Sequence, residues 1–152
     1  MIAVLQRVKR ACVCVEGDIV GECGAGLCIL LGVAKEDTEA DALALADKIV
    51  NLRIFPDEND KMNLSLTDVG GEALSISNFT LLAAYKKGKR PDYMGAASPD
   101  EAKRLYEYFC ELLETRLSHV GRGEFGAHME IELVCDGPVT ITMDSKVLRG
   151  GK

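Results

Sequence analysis

The stretch LCILLGV at residues 27–33 decides how the rest of the chain is arranged, because it is the longest apolar run in the sequence. A strand with one face in water alternates apolar and polar residues, whereas a strand buried on both faces is apolar throughout. We therefore predict that this run forms a central strand with protein packed against both faces. It is far shorter than the roughly 20 residues that cross a bilayer, so we expect no membrane partner.

Further strands are predicted on both sides of this run. Residues 12–16 and 19–22 have the pattern of a hairpin closed by Gly17-Asp18. The other predicted strands lie at residues 2–8, 53–55, 62–66, 73–82, 129–135 and 139–145, and the last two are joined by Asp136-Gly137-Pro138.

Two helices are predicted between these strands. Residues 38–51 carry an apolar stripe, with Thr38 as the N-cap and Asp41 in the first turn. The second helix opens with Ser98-Pro99-Asp100-Glu101, which predicts a capping box, and it ends at residues 121–123. Helices and single strands do not alternate along the chain, so we predict a mixed α/β fold with two helices packed on one side.

The length and charge of the chain limit its partners. Its 152 residues fit one domain, which we place at residues 1–145, followed by a polar C-terminal tail at residues 146–152. The net charge of −6 means that any nucleic-acid contact needs a local basic patch. The loop at residues 83–97 holds one, and it is either a phosphate-binding patch or a solvated loop that aids solubility. Its basic residues are Lys86, Lys87, Lys89 and Arg90.

Histidine and metal chemistry have little support in the sequence. His128 would share a strand face with Glu130, but two ligands do not make a metal site. A Ser-His-Asp triad stays open on spacing alone, although no Gly-x-Ser-x-Gly motif supports it. The six cysteines form no C-x-x-C pair, and the N-terminus lacks the charge order of a signal peptide. We therefore expect a cytoplasmic protein whose cysteines are small buried side chains.

Two segments carry polar groups that a strand or a turn does not require. In a strand, Asn78 and Thr80 would point to one face, either as a hydrogen-bonding pair or as a simple wet face. The turn at residues 136–138 is either an ordinary connection or a rigid backbone that points its carbonyl groups into a site.

These segments together resemble the D-aminoacyl-tRNA deacylase family along nearly the whole chain. The family's opening strand with its arginine resembles residues 2–8 with Arg7, and its first helix and following strands resemble residues 46–55 and 61–65. Three further family motifs match in order: the Ser-Gln motif with its threonine at residues 77–80, Lys-Gly-x-Arg-Pro at residues 87–91, and Phe-Gly-Ala-x-Met at residues 125–129. Gly-Pro-x-Thr matches Gly137, Pro138 and Thr140, while Asn78 departs from the usual Gln by one methylene.

The resemblance implies a fold of mainly antiparallel β-sheets in a barrel-like or layered arrangement. It implies an enzyme that hydrolyses the ester between a D-amino acid and the terminal adenosine of tRNA, with no metal or cofactor and no DNA substrate. It also implies a homodimer, in which Gly137-Pro138 of one subunit, with a cis peptide bond, enters the pocket of the other and excludes L-amino acids. Arg7 would hold that motif, and Thr140 belongs to the same substrate-binding set.

The resemblance also assigns roles inside the pocket. Ser77, Asn78, Phe79 and Thr80 would form the catalytic segment, where backbone N–H groups near Phe79 and Thr80 stabilise the oxyanion and the ribose 2′-hydroxyl of the substrate assists. Phe125 and Met129 would contact the adenosine. The acceptor-stem phosphates would meet the basic loop residues Lys86, Lys87, Lys89 and Arg90.

Two other functions are compatible with the sequence. One is an editing deacylase for glycyl-tRNA or small L-aminoacyl-tRNA, because the Asn78 change falls in the catalytic segment. The other is a tRNA-binding module without catalysis, which the acidic net charge and the aromatic content of 5% disfavour.

Overall fold

The computed structural model describes residues 1–150, which form one mixed β-sheet, a small second sheet and three helices. The strands are β1 (Ile2–Val15), β2 (Asp18–Cys23), β3 (Gly26–Gly32), β4 (Phe55–Pro56), β5 (Met62–Leu64), β6 (Glu72–Ser77), β7 (Val120–Arg122) and β8 (Glu130–Asp144). The helices are α1 (Glu39–Asn51), α2 (Pro99–Glu114) and α3 (Ser145–Leu148), and a 3₁₀ turn spans Phe79–Leu82. None of these helices is long and apolar enough to span a membrane.

The apolar run at residues 27–33 forms β3, as predicted. It pairs with β1 in antiparallel fashion and with β6 in parallel fashion, so both edges of the strand are covered. Leu27 and Ile29 are completely buried, and only Leu30 within the strand is partly exposed. The predicted mixed fold is confirmed.

The sheet nearly closes into a barrel. The strand order is β2-β1-β3-β6-β7, and β8 pairs with β1 along almost its full length. The two ends of this path, β2 and β7, cross at Gly21 and Gly121. A Cβ atom on Gly21 would lie 2.3 Å from the carbonyl oxygen of Arg122, so only glycine permits this approach.

The two long helices pack against each other beside the sheet. The buried stripe of α1 includes Leu45 and Ile49, and that of α2 includes Leu105, Phe109 and Leu113. Thr38 is the N-cap of α1, as the sequence predicts, and its backbone N–H donates to the Asp41 carboxylate (2.9 Å).

The start and end of α2 differ from the prediction. Pro99 occupies the first helical position, but Ser98 makes no side-chain capping bond, and Glu101 binds the guanidinium of Arg104 instead. The helix ends at Glu114 because the following residues turn back to form β7, in which Gly121 pairs with Leu74 of β6. The predicted helix end at residues 121–123 is therefore wrong.

Three strand predictions are also corrected. Residues 2–8 and 12–15 belong to the single strand β1, and residues 130–135 and 139–144 belong to the single strand β8 rather than to two separate strands. Both arms of β8 pair with the same long neighbour, so the Gly-Pro segment is a bulge and not a reversal of direction. The strand predicted at residues 73–82 ends at Ser77. Within the predicted tail, residues 146–148 lie in α3, while residues 151–152 fall outside the described part of the chain.

Candidate active site

A cavity of about 720 Å³ opens where β6 ends. Three segments surround it: the turn that follows β6, the loop that leads into α2, and the loop before β8. Its lining residues at the turn and on the loop before β8 are Ser77, Asn78, Phe79, Thr80, Phe125, Gly126, Ala127, His128 and Met129. The structure therefore brings the predicted catalytic segment and the predicted adenosine pocket into one site.

The predicted catalytic segment is a capped turn and not a strand face. Asn78 is the N-cap of the 3₁₀ turn, and its Oδ1 accepts hydrogen bonds from the backbone N–H of Thr80 (3.2 Å) and from the Thr80 hydroxyl. Phe79 is the first residue of the turn, where helical geometry provides no acceptor for the backbone N–H. Phe79 N–H is thus left available to a substrate, whereas Thr80 N–H is already used.

The expected strand alternation of Asn78 and Thr80 is therefore corrected. A short Asn side chain reaches the backbone two residues further on, and this local bond competes with extension of the strand. It places the Asn78 oxygen and the Thr80 hydroxyl in direct contact.

The rim of the cavity is aromatic. The Phe79 ring is 56% exposed and packs edge-to-face against Tyr93, with 5.1 Å between ring centroids. Tyr93 lies at the end of the basic loop, which is pinned by paired backbone hydrogen bonds between Ala84 and Asp92. Tyr93 was not predicted from the sequence. Its only signal there is that it is an aromatic residue close after the basic run. The four basic residues predicted to meet phosphates, Lys86, Lys87, Lys89 and Arg90, are all exposed on this loop.

The predicted adenosine pocket, formed by Phe125 and Met129, rests on the helix α2. Phe125 packs against Tyr106, with ring centroids 6.1 Å apart, and the Tyr106 hydroxyl donates to the carbonyl oxygen of Ser75 (2.8 Å). Burial raises the pKa of Tyr106, so the hydroxyl stays protonated, and remains a donor, well into the alkaline range. One buried side chain thus supports both the cavity wall and the strand that leads into the catalytic turn.

The Gly137-Pro138 segment lies elsewhere on the chain. Four residues of β8, 136–139, lie opposite a single residue of β1, Arg7. The residues on either side are paired, Gln6 with Thr140 and Val8 with Cys135. The Gly137-Pro138 peptide bond is cis. In the described chain, neither these two residues nor Arg7 or Thr140 line the cavity.

Two neighbouring residues of β1 hold this bulge. Arg7 Nε donates to the carbonyl oxygen of Asp136 (3.1 Å), and Arg7 Nη1 donates to the carbonyl oxygen of Ile54 (2.6 Å). The Thr140 hydroxyl donates to Gln6 Oε1 (2.7 Å). Gln6 was not predicted from the sequence, because its partner is 134 positions away.

The cavity does not assemble a Ser-His-Asp triad. Ser77 and His128 both line the cavity, but no Asp or Glu of the described chain does, and His119 lies outside it, with its Nε2 2.8 Å from the carbonyl oxygen of Glu22. Among residues 1–150, no three His, Cys, Asp or Glu side chains are grouped so that they could hold a metal ion. Cys23, Cys28 and Cys110 are buried as expected, whereas Cys12 and Cys14 are half-buried and Cys135 is exposed.

Comparison with known proteins identifies relatives along nearly the whole chain. The model of the family described as D-Tyr-tRNA(Tyr) deacylase matches residues 4–144. The chain is 59% identical to the D-aminoacyl-tRNA deacylase of Caldicellulosiruptor saccharolyticus over 146 residues, which cover 96% of this chain and 98% of that protein. It is 55% identical to the D-aminoacyl-tRNA deacylase of Clostridium beijerinckii, with the same coverage.

Two solved structures share the fold. One, described as c-Myc DNA Unwinding Element Binding Protein, is 40% identical with a TM-score of 0.89, over 95% of this chain and 98% of that chain. The other, described as a probable eukaryotic D-amino acid tRNA deacylase, is 15% identical with a TM-score of 0.83, over 93% and 97% of the two chains. At 15% identity, the second likeness concerns the fold alone.

Proposed function

Because the chain belongs to the D-Tyr-tRNA(Tyr) deacylase family and is a hydrolase of D-aminoacyl-tRNA, we propose that it cleaves the ester in the cavity at the end of β6 and rejects L-aminoacyl-tRNA. The proposal rests on the observation that two parts of the predicted site lie apart on one chain. The capped turn and the adenosine pocket of Phe125 and Met129 share a cavity, while the Gly137-Pro138 bulge lies outside it. A second copy of the chain supplies the bulge to the cavity of the first.

The reaction is the attack of water on the ester carbonyl, followed by cleavage of the bond to the ribose oxygen. Phe79 N–H donates to the oxyanion, because it lies at the open end of the turn that Asn78 caps. The 2′-hydroxyl of the terminal ribose assists the proton transfer to the 3′-oxygen. This assignment is supported by the Thr80 hydroxyl, which bonds an amide rather than a base.

Selectivity comes from backbone that is held rigidly. In the dimer, the carbonyl groups of Gly137 and Pro138 receive the amino group of the D-amino acid, and an L side chain collides with the same backbone. Arg7 and the Gln6–Thr140 pair hold the bulge from β1. The adenine lies against Phe125 and Met129, whose soft apolar surfaces suit a base.

The RNA backbone contacts the basic loop. Lys86, Lys87, Lys89 and Arg90 neutralise tRNA phosphates, so affinity falls as salt rises. We propose tRNA rather than DNA as the partner, and the cytoplasm as the place of action. A flat salt response, or equal affinity for duplex DNA, contradicts this part of the proposal.

The test compares the hydrolysis of D-Tyr-tRNA, L-Tyr-tRNA, Gly-tRNA and L-Ala-tRNA by the purified protein. We expect rapid hydrolysis of D-Tyr-tRNA and no acceleration for either L-aminoacyl-tRNA. Faster hydrolysis of Gly-tRNA or L-Ala-tRNA than of D-Tyr-tRNA would instead identify an editing deacylase for small residues. Binding of tRNA without turnover would identify a non-catalytic module.

The role of the 2′-hydroxyl has a separate test. D-aminoacyl-tRNA that ends in 2′-deoxyadenosine retains the ester but lacks the assisting group. We expect its hydrolysis to be slower by about 100-fold or more, which is typical of a lost proton-transfer group. Equal rates on the two substrates contradict the assignment.

A further inference from the structure

The loop at residues 83–97, which holds the basic residues, also carries an aromatic and a sulfur side chain that are largely open to solvent. Tyr85 is 83% exposed and Met94 is 71% exposed. Tyr85 directly precedes the basic run, so a flat ring stands beside several positive charges. At this exposure the Tyr85 ring buries little apolar surface, so it contributes little to the stability of the fold.

The loop is fixed at its base. Ala84 and Asp92 exchange two backbone hydrogen bonds of 2.7 and 2.8 Å, which close residues 85–91 into a tight loop. The Asp92 carboxylate accepts a hydrogen bond from the Met94 backbone N–H (2.7 Å). Tyr85 therefore projects from a defined position.

The same loop is continuous with the cavity. Tyr93, which packs against Phe79, and Ala96, which bridges to Ala34 beside β3, both line the cavity. A nucleotide chain that leaves the cavity past this rim meets the loop next. We call the surface formed by Tyr85, the four basic residues and Met94 the exit surface.

The geometry points to a binding site for the unpaired nucleotides that immediately precede the terminal adenosine of tRNA, with one of their bases stacked on Tyr85. This inference rests on the proposed function, because it takes the terminal adenosine to lie in the cavity. Exposed aromatic rings bind unpaired bases by stacking, and neighbouring lysine and arginine residues contact the backbone phosphates. Bases within a duplex are already stacked on each other, so the double-stranded acceptor stem cannot use the face of Tyr85.

The first test is kinetic and compares Tyr85→Ala with Tyr85→Phe on D-Tyr-tRNA. Because Tyr85→Ala removes the ring on which a base stacks, substrate binding weakens, and we expect KM to rise by about 5-fold or more. Tyr85→Phe retains the ring and restores KM to near the wild-type value. A requirement for the hydroxyl, or an unchanged KM for Tyr85→Ala, overturns the inference. If the wild-type protein does not hydrolyse D-Tyr-tRNA at all, the proposed function itself has failed, which is a different result.

The second test uses fluorescence, because the chain contains no Trp. Tyr85→Trp creates a single reporter at the exit surface, and Val147→Trp, at a site 70% exposed on α3, serves as the matched control. We expect a single-stranded oligonucleotide that ends in CCA to quench Tyr85→Trp and to leave Val147→Trp unchanged. Equal quenching of both variants overturns the stacking assignment. So does stronger quenching of Tyr85→Trp by a blunt acceptor-stem duplex, which would point to the stem instead.

Discussion

The side chain of Asn78 determines the geometry of the proposed catalytic segment. Its oxygen holds both the N–H and the hydroxyl of Thr80, so two groups that resemble catalytic donors are occupied before substrate arrives. Asn is among the residues preferred at an N-cap, because its short side chain reaches the backbone of the turn. In this chain the residue at this position acts on the turn itself, and the backbone N–H of Phe79 is the donor that remains.

The hydroxyl of Thr80 is expected to be dispensable. Thr80→Val keeps the branched shape and removes the hydroxyl, and we predict single-turnover hydrolysis of D-Tyr-tRNA within about 10-fold of wild type, or about 1.4 kcal/mol. Loss of a true nucleophile costs on the order of 10⁶ in rate, so the two outcomes are well separated. Thr80→Ser, which keeps the hydroxyl, is the matched control. A loss of several orders of magnitude in Thr80→Val alone would make Thr80 the nucleophile.

Among the secondary-structure elements, the sequence correctly predicts those whose residues follow a recognisable local pattern. The buried strand β3, the hairpin β1–β2 and the helix α1 follow from apolar runs, turn residues and helical spacing. The end of β6 does not, because the alternation continues past Ser77 and a single Asn side chain overrides it. The segment at residues 136–138 was predicted as a connection between two strands. Nothing in its local sequence reveals that one long strand, β1, pairs with both arms of β8 and makes residues 136–139 a bulge.

The candidate site shows the same division. The motif residues 77–80, 125 and 129 are found in one cavity, as the resemblance implies. Gln6 and Tyr93 were missed because each acts through a partner that is distant in sequence. Long-range pairs of this kind leave no periodicity in a single sequence.

Asp41 joins α1 to the end of the chain and makes stability depend on pH. Its carboxylate accepts hydrogen bonds from Thr38 N–H and from Arg149 Nη1 (2.8 Å). Burial alone would raise the pKa of Asp41, but these bonds and one from Ser145 lower it from 3.8 to about 2. The carboxylate therefore stabilises the folded state fully above about pH 4, and this contribution is lost as the pH falls toward 2.

We predict that Asp41→Asn lowers the free energy of unfolding by about 2 kcal/mol at pH 7. The variant should also lose less stability than wild type between pH 4 and pH 2, as measured by urea unfolding. Asp47→Asn, which removes an exposed ion pair with Arg116, is the control and should cost about 0.5 kcal/mol. Parallel pH profiles for wild type and Asp41→Asn would contradict the assignment.

At the scale of the whole molecule, closure of the sheet depends on two glycines. A Cβ atom on Gly121 would lie 2.4 Å from the carbonyl oxygen of Glu22, and backbone cannot move aside as a flexible side chain does. We predict that Gly121→Ala lowers the free energy of unfolding by about 1–3 kcal/mol. Gly95→Ala, whose nearest neighbour would be 3.9 Å away, should stay within about 0.5 kcal/mol. Equal unfolding midpoints for the two variants in urea would contradict this prediction, because they would show that β2 and β7 can move apart at Gly121 without a loss of folding free energy.

The division of the site between two copies of the chain predicts complementation. Ala96→Trp fills the cavity, and Gly137→Val disrupts the bulge, because Gly137 has a φ of 129° and a Cβ there would lie 2.8 Å from the Val139 nitrogen. Each variant alone leaves every site with one defective part, so neither should hydrolyse D-Tyr-tRNA.

Mixed in equal amounts and allowed to exchange subunits, the two variants form heterodimers in which one of the two sites combines an intact cavity with an intact bulge. Random exchange in a two-fold symmetric dimer then restores about a quarter of the wild-type activity. The restored activity should keep the wild-type preference for D-Tyr-tRNA over L-Tyr-tRNA, because the intact bulge performs the exclusion. If the bulge instead enters the cavity of its own chain, mixing restores no activity. A wild-type protein that is a monomer in analytical ultracentrifugation and is still active would likewise contradict the shared site.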